Sequence, residues 1–129
     1  MFTKEQITEH INYFNDNRIK FVKWKSGEKK EDGVLTIGYP IYDEGFRKFV
    51  DDCYKADVLD GNYLHNVEKV CEENLIPMNY IESADKDLLQ SILTYYIRQE
   101  RFCEGLWATA IEKKVFLRIL VRLEELLGK

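Results

Sequence analysis

Proline is scarce in this 129-residue chain, with two residues beside seven glycines. That scarcity excludes a low-complexity or disordered Pro/Gly-rich chain. Histidine is as rare, with only His10 and His65. They fall on different predicted helices, and a histidine beside an amphipathic face reads as a partly exposed packing residue. The three cysteines, Cys53, Cys71 and Cys103, form no C-x-x-C pair. No metal site and no cofactor is therefore expected. Cys71 and His65 are six residues apart, on different faces of one helix, so they make no nucleophile–base pair. No G-x-x-x-x-G-K-[ST] or G-x-G-x-x-G loop is present to cradle a nucleotide. No apolar run reaches signal-peptide or membrane length, and the opening "MFTKEQITEH" is charged from Lys4 onward. A cytoplasmic protein with no membrane association is expected, its thiols kept reduced in the core. Positive charge is not in excess either: 19 basic against 23 acidic side chains give a net charge of −4. A nucleic-acid partner is not expected from that balance.

What the chain does have is apolar and aromatic mass, at 45% hydrophobic and 13% aromatic residues. This suits one domain over residues 1–129, burying roughly two-thirds of its unfolded surface. The pattern predicts a mainly α fold, five to six helices around a central helix at about 84–104. A short β-hairpin or two extended arms is expected near 19–38.

Thr3 and Gln6 form a capping-box pattern, and Ile7, Ile11 and Phe14 then fall on one helical face. "NDN" at 15–17 stops that helix. "IKFVKWK" and "VLTIG" read as extended arms around the polar loop "SGEKKEDG". Asp43 is a good N-cap for a second helix carrying Phe46, Phe49, Val50, Cys53 and Tyr54. A third helix is expected over about Tyr63–Glu73 with Leu64, Val67 and Cys71 inward. "LIPMNYIES" is an apolar connector, because Pro77 cannot continue a helix. Ser83 is taken as the cap of the fourth helix, and Gly105 as its break. Two further helices follow, about Leu106–Lys113 and Val115–Leu127. The last carries a stripe of Phe116, Ile119, Leu120, Leu123 and Leu127.

The fourth helix contains the densest chemistry of the chain, "YYIRQERFCEGLW". At about 100° per residue, Leu88, Leu89, Ile92, Leu93, Tyr95, Tyr96, Ile97, Phe102 and Cys103 cover more than half the circumference. That makes this helix central. The remaining arc holds Asp87, Ser91, Thr94, Arg98 and Arg101. Two arginines three apart can grip a carboxylate or phosphate by two-point hydrogen bonding. Paired with acids on the next element, they are instead ordinary surface cations. Glu100 falls inside the apolar arc, nearly opposite Arg98. A buried carboxylate there must find a cation or several donors, and Arg118, Arg122 and Arg47 are the suppliers the sequence offers. Held in apolar surroundings, it could act as an acid or base; as an internal tie, it would fix how helices dock.

The span "LTYYIRQERFCEGLWATAIEKKVFLRILVRLEEL" resembles the C-terminal half of a family of short bacterial and phage proteins of unknown function. The resemblance rests on Leu93-Thr94, the R-x-E-R-F-x-x-G pattern of Arg98, Glu100, Arg101, Phe102 and Gly105, Ile111-Glu112, and Leu120, Arg122 and Leu123. More loosely, Tyr42 precedes a helix carrying Phe46 and Phe49. The resemblance implies a bacterial or phage origin and a mostly helical domain, and supplies no activity. Where such sequences carry a glycine between the last two helices, this chain has Lys113 and Lys114. That argues against a tight left-handed connection there.

Two functions are left. The first is a non-enzymatic protein-binding or regulatory module, favoured by the absence of cofactor loop and metal cluster and by the aromatic stretch "YPIY", with Tyr39 and Tyr42 as binding residues. Inhibition of a host defence system is one version of it, without residue-level support. The alternative is a small enzyme or an anion- or nucleotide-binding protein using Arg98, Arg101, Thr94 and Ser91, with Glu100 as acid or base.

Overall fold

The computed structural model describes residues 2–25, 39–56, 59, 61–71, 77–100 and 105–128. The fold is mainly helical. Among the described residues are six α-helices, one 3-10 helix and one antiparallel pair of strands.

Helix α1 (Lys4–Phe14) begins at the expected capping box: Gln6 N–H donates to Thr3 Oγ1 and Thr3 N–H donates to Gln6 Oε1. It ends at Asn15. Strands β1 (Val22–Lys25) and β2 (Tyr39–Tyr42) pair in the register Val22↔Tyr42 to Lys25↔Tyr39. The described second arm is thus "YPIY", which the sequence suggested as a lead-in to α2; "VLTIG" at 34–38 lies outside the described residues. Helix α2 (Glu44–Lys55) is capped by Asp43, which accepts from Gly45 N–H. It buries Phe46, Phe49 and Cys53.

Helix α3 (Tyr63–Cys71) turns Tyr63 and Val67 inward, whereas Leu64, expected inside, is 43% exposed. The difference is a rotation of the helix: Tyr63 offers both a ring and a hydroxyl to α4, and Leu64 offers neither. A 3-10 helix spans Pro77–Ser83, seating Pro77 and Ile81 in the core. Helix α4 (Lys86–Gln99) is capped by Asp85, which accepts from Leu88 N–H. Ser83, the expected cap, instead closes the 3-10 turn by donating to Tyr80 O. Helix α5 (Leu106–Glu112) and helix α6 (Val115–Leu127) complete the chain. Between them Lys114 adopts φ +60°. The tight left-handed connection exists, then, with a lysine carrying the Cβ strain that glycine avoids.

The core is aromatic at its centre. Phe14, Phe46, Phe49 and Phe116, from α1, α2 and α6, meet at ring separations of 5.1–6.2 Å. Burying rings of this size supplies most of the apolar stabilisation in such a core. Helix α4 buries Leu89, Ile92, Leu93, Tyr96 and Ile97 and packs against α3, α5, α6 and the 3-10 helix, so it is central as expected. From α6, Arg118 grips Glu82 with two nitrogens and also donates to Met78 O, while Arg122 donates to Ala84 O. Two arginines thus fasten α6 to the 3-10 segment.

His10 is buried between Phe2 and Phe49 rather than partly exposed, because α1 turns it toward α2. Its Nε2 lies 3.2 Å from Asp52 Oδ2 but off the line of a hydrogen bond. Burial holds the imidazole below its ordinary pKa, against the opposing pull of Asp52 and Glu9. Burial likewise pushes the Cys53 thiol well up, which leaves it a packing group. No helix among the described residues is long and apolar enough to cross a membrane.

Candidate functional site

Glu100 sits at the C-terminal end of α4. Its carboxylate Oε1 accepts from the backbone N–H of Gly105 at 2.9 Å and of Trp107 at 3.0 Å. Tyr42 Oη lies 3.0 and 2.9 Å from the two oxygens and donates to them. The Gly105 and Trp107 amides are the first donors of α5, where Gly105 offers no side-chain cap of its own. Glu100 therefore caps the following helix from the end of the preceding one. Both the hydrogen bonds and the negative charge suit that position. Gly105 makes the geometry possible: at φ +93° its amide turns back toward Glu100, a backbone state that a side chain would strain. The Glu100 and Gly105 of the R-x-E-R-F-x-x-G stretch are thus hydrogen-bonded to each other.

Its partners are not the arginines nominated from sequence, since Arg118 and Arg122 are engaged with the 3-10 segment. The carboxylate, half-buried, instead found several neutral donors, the other solution open to an acid at such a site. Trp107 completes the junction. Its indole N–H donates to Tyr96 O at 2.7 Å, and its ring meets Tyr42 and Phe46 at 5.3 Å each. The hub therefore joins α4, α5, α2 and the hairpin.

The strip Ser91–Thr94–Arg98 does not form one open face. Ser91 and Thr94 are fully buried, and their hydroxyls donate to Asp87 O and Gln90 O one turn back. Asn66 of α3 donates to Ser91 Oγ. The helical wheel marked these residues as polar, but short hydroxyls can satisfy themselves on the helix backbone and pass under a neighbouring helix. Arg98 is half-buried, with its guanidinium carbon 5.8 Å from the centre of the Tyr63 ring, a cation–π distance. Arg101, Phe102 and Cys103 lie outside the described residues. Arg98 and Glu100, expected to point apart, line one cleft of about 560 Å³ with Val50, Tyr54, Ile97 and Trp107. The cleft wraps the end of α4, where long side chains 200° apart on a wheel can still reach a common space. Among the described residues, no group of three or more His, Cys, Asp or Glu could hold a metal.

The hairpin carries the other candidate residues. Along β2 exposure alternates: Tyr39 and Ile41 are exposed, Pro40 and Tyr42 half-buried. Tyr42 belongs to the hub, while Tyr39 points outward. Trp24 of β1, not nominated from sequence, is the most exposed large hydrophobic residue described, at 61%. The alternation in "IKFVKWK" was its signal, and Pro40 inside a strand was the signal of an edge. Of six exposed large hydrophobic residues among those described, three (Trp24, Tyr39 and Ile41) fall in the eight residues of the hairpin.

The model of a family of unknown function (DUF6508) matches residues 3–129. No curated protein and no solved structure matches the chain. The chain belongs to that family, as its C-terminal half suggested.

Proposed function

We propose that the protein is a non-enzymatic binding module that engages a protein partner through its β-hairpin. The observation that carries this reading is the concentration of exposed large hydrophobic side chains there: Trp24, Tyr39 and Ile41. Exposed apolar residues scattered singly need no explanation, but three within eight residues, Trp24 on one face of the hairpin and Tyr39 and Ile41 on the other in the observed register, mark it as an interaction element. Tryptophan and tyrosine are also the residues that anchor interfaces. The hairpin is held by the Tyr42–Glu100 bond and by Asp43, so little ordering entropy is lost on binding. Glu100, the acid or base of the competing reading, already accepts hydrogen bonds from Tyr42, Gly105 and Trp107.

The test is affinity capture followed by binding of the purified partner to the full chain and to two variants. Trp24→Ala is expected to weaken binding at least tenfold, the weight of a typical interface anchor, while Arg98→Ala binds as wild type. Repeatedly empty captures, or a partner indifferent to Trp24→Ala, would contradict the reading.

A second reading keeps the cleft as an anion or nucleotide site, supported by Arg98 and Glu100 lining the same space. A thermal-shift screen with nucleotides, phosphosugars and small acids distinguishes it. A stabilising ligand whose effect vanishes in Arg98→Ala would favour the cleft over the hairpin.

A further inference from the structure

The hairpin has edges as well as faces, and their availability follows from hydrogen-bond phase. Asp43 N–H donates to Phe21 O at 2.8 Å. Bonded and non-bonded pairs alternate along an antiparallel ladder. In the observed register, the bonded pairs are therefore Phe21/Asp43, Lys23/Ile41 and Lys25/Tyr39. Val22 and Trp24 turn their N–H and C=O groups away from β2, and those groups have no partner among the described residues. On the opposite edge the outward residues are Pro40 and Tyr42. Proline has no N–H to give, which obstructs strand addition on that side.

Beside the β1 edge runs a groove of about 290 Å³, walled by Phe21, Val22 and Trp24 on one side and by Ala108, Ile111 and Glu112 of α5 on the other. Side chains of a strand alternate between its faces. A strand laid along β1 would set one series of side chains over this groove and the other beside Lys23, on the far face. Apolar residues suit the groove, where Glu112 disfavours acids. Acidic residues suit the far face, where Lys23 is exposed. A second copy of β1 is a poor occupant, because it would bring lysine to lysine on that face.

We infer that β1 is a strand-addition site for an extended segment of a partner protein in which apolar and acidic residues alternate, anchored on Trp24. This rests on the hairpin being the binding face and adds the partner's conformation and chemistry.

The test titrates the ¹⁵N-labelled full chain with two end-blocked peptides of equal composition, one alternating valine with glutamate and one with the same residues in blocks. Only the alternating peptide shifts the Val22 and Trp24 amides, and N-methylating its alternate amides abolishes the response. Val22→Pro removes an outward N–H while sparing the bonds to β2, and weakens binding about tenfold relative to Val22→Ala, the scale of one lost backbone hydrogen bond. Equal response to both peptides, no response at millimolar concentration, indifference to N-methylation, or self-association in place of binding overturns the inference. If the captured partner is lost with Trp24→Ala but not with Val22→Pro, the hairpin reading stands and strand addition fails. If Trp24→Ala leaves capture intact, both fail.

Discussion

Glu100 and Trp24 stand on either side of Gly105 and meet opposite fates. Glu100 accepts from three residues and joins α4, α5 and β2. Trp24, whose ring edge lies 3.4 Å from where a Gly105 Cβ would be, leaves most of its surface in solvent. One is a polar group that the fold builds into a junction, the other an apolar group that the fold leaves over. The contrast teaches that density of chemical groups in sequence is a poor guide to function. The crowded stretch became a junction, and a tryptophan in a plain alternating segment became the better candidate for recognition.

Removing the hub has the largest expected effect. Glu100→Ala strips the α5 cap and leaves the Tyr42 hydroxyl and two amides without their acceptor. Urea unfolding should show a loss of about 2–4 kcal/mol. Gly45→Ala attacks the hairpin's root, since a Cβ there would overlap the Tyr13 ring, which donates its hydroxyl to Asp43. A loss of about 1–3 kcal/mol is expected. Lys114→Gly relieves a left-handed residue and should raise stability by about 0.5–1 kcal/mol, read as a higher Tm. Trp24→Ala belongs at the other end of the comparison, with a change in unfolding free energy within about 0.5 kcal/mol beside a large loss of partner binding. A loss of several kcal/mol in that variant would erase the contrast.

His10 adds a pH signature that neither region shares. Its folded pKa lies below the unfolded value, so the neutral form is the one the fold prefers. The stability this contributes is full above about pH 6.5 and is lost as pH falls through the folded pKa. Melting between pH 7.5 and 5.5 should show this decline in wild type and a shallower one in His10→Gln.

Much of the architecture was legible because it is periodic or local. The α6 stripe, the Thr3–Gln6 box and the Asp43 cap each depend on residues within a few turns of one another. The central place of α4 followed from its apolar circumference. What stayed hidden depends on long-range geometry. A wheel shows that Glu100 needs donors but not that α5 turns its amides back to supply them. It shows Ser91 and Thr94 as polar but not that both are buried, Ser91 against Asn66 of α3. Lys114 looked like an obstacle to a left-handed turn, yet the packing of α5 on α6 outweighs the local strain. "YPIY" declared its strand only by alternation over four residues, too short a run to separate from a connector.

The central claim is that Glu100 holds the hairpin to the helical body through Tyr42. A double-mutant cycle on Tyr42→Phe and Glu100→Gln, measured by urea unfolding, tests it most directly. The account predicts a coupling of about 1 kcal/mol or more between the two positions. Additive losses, with coupling below about 0.3 kcal/mol, would contradict it.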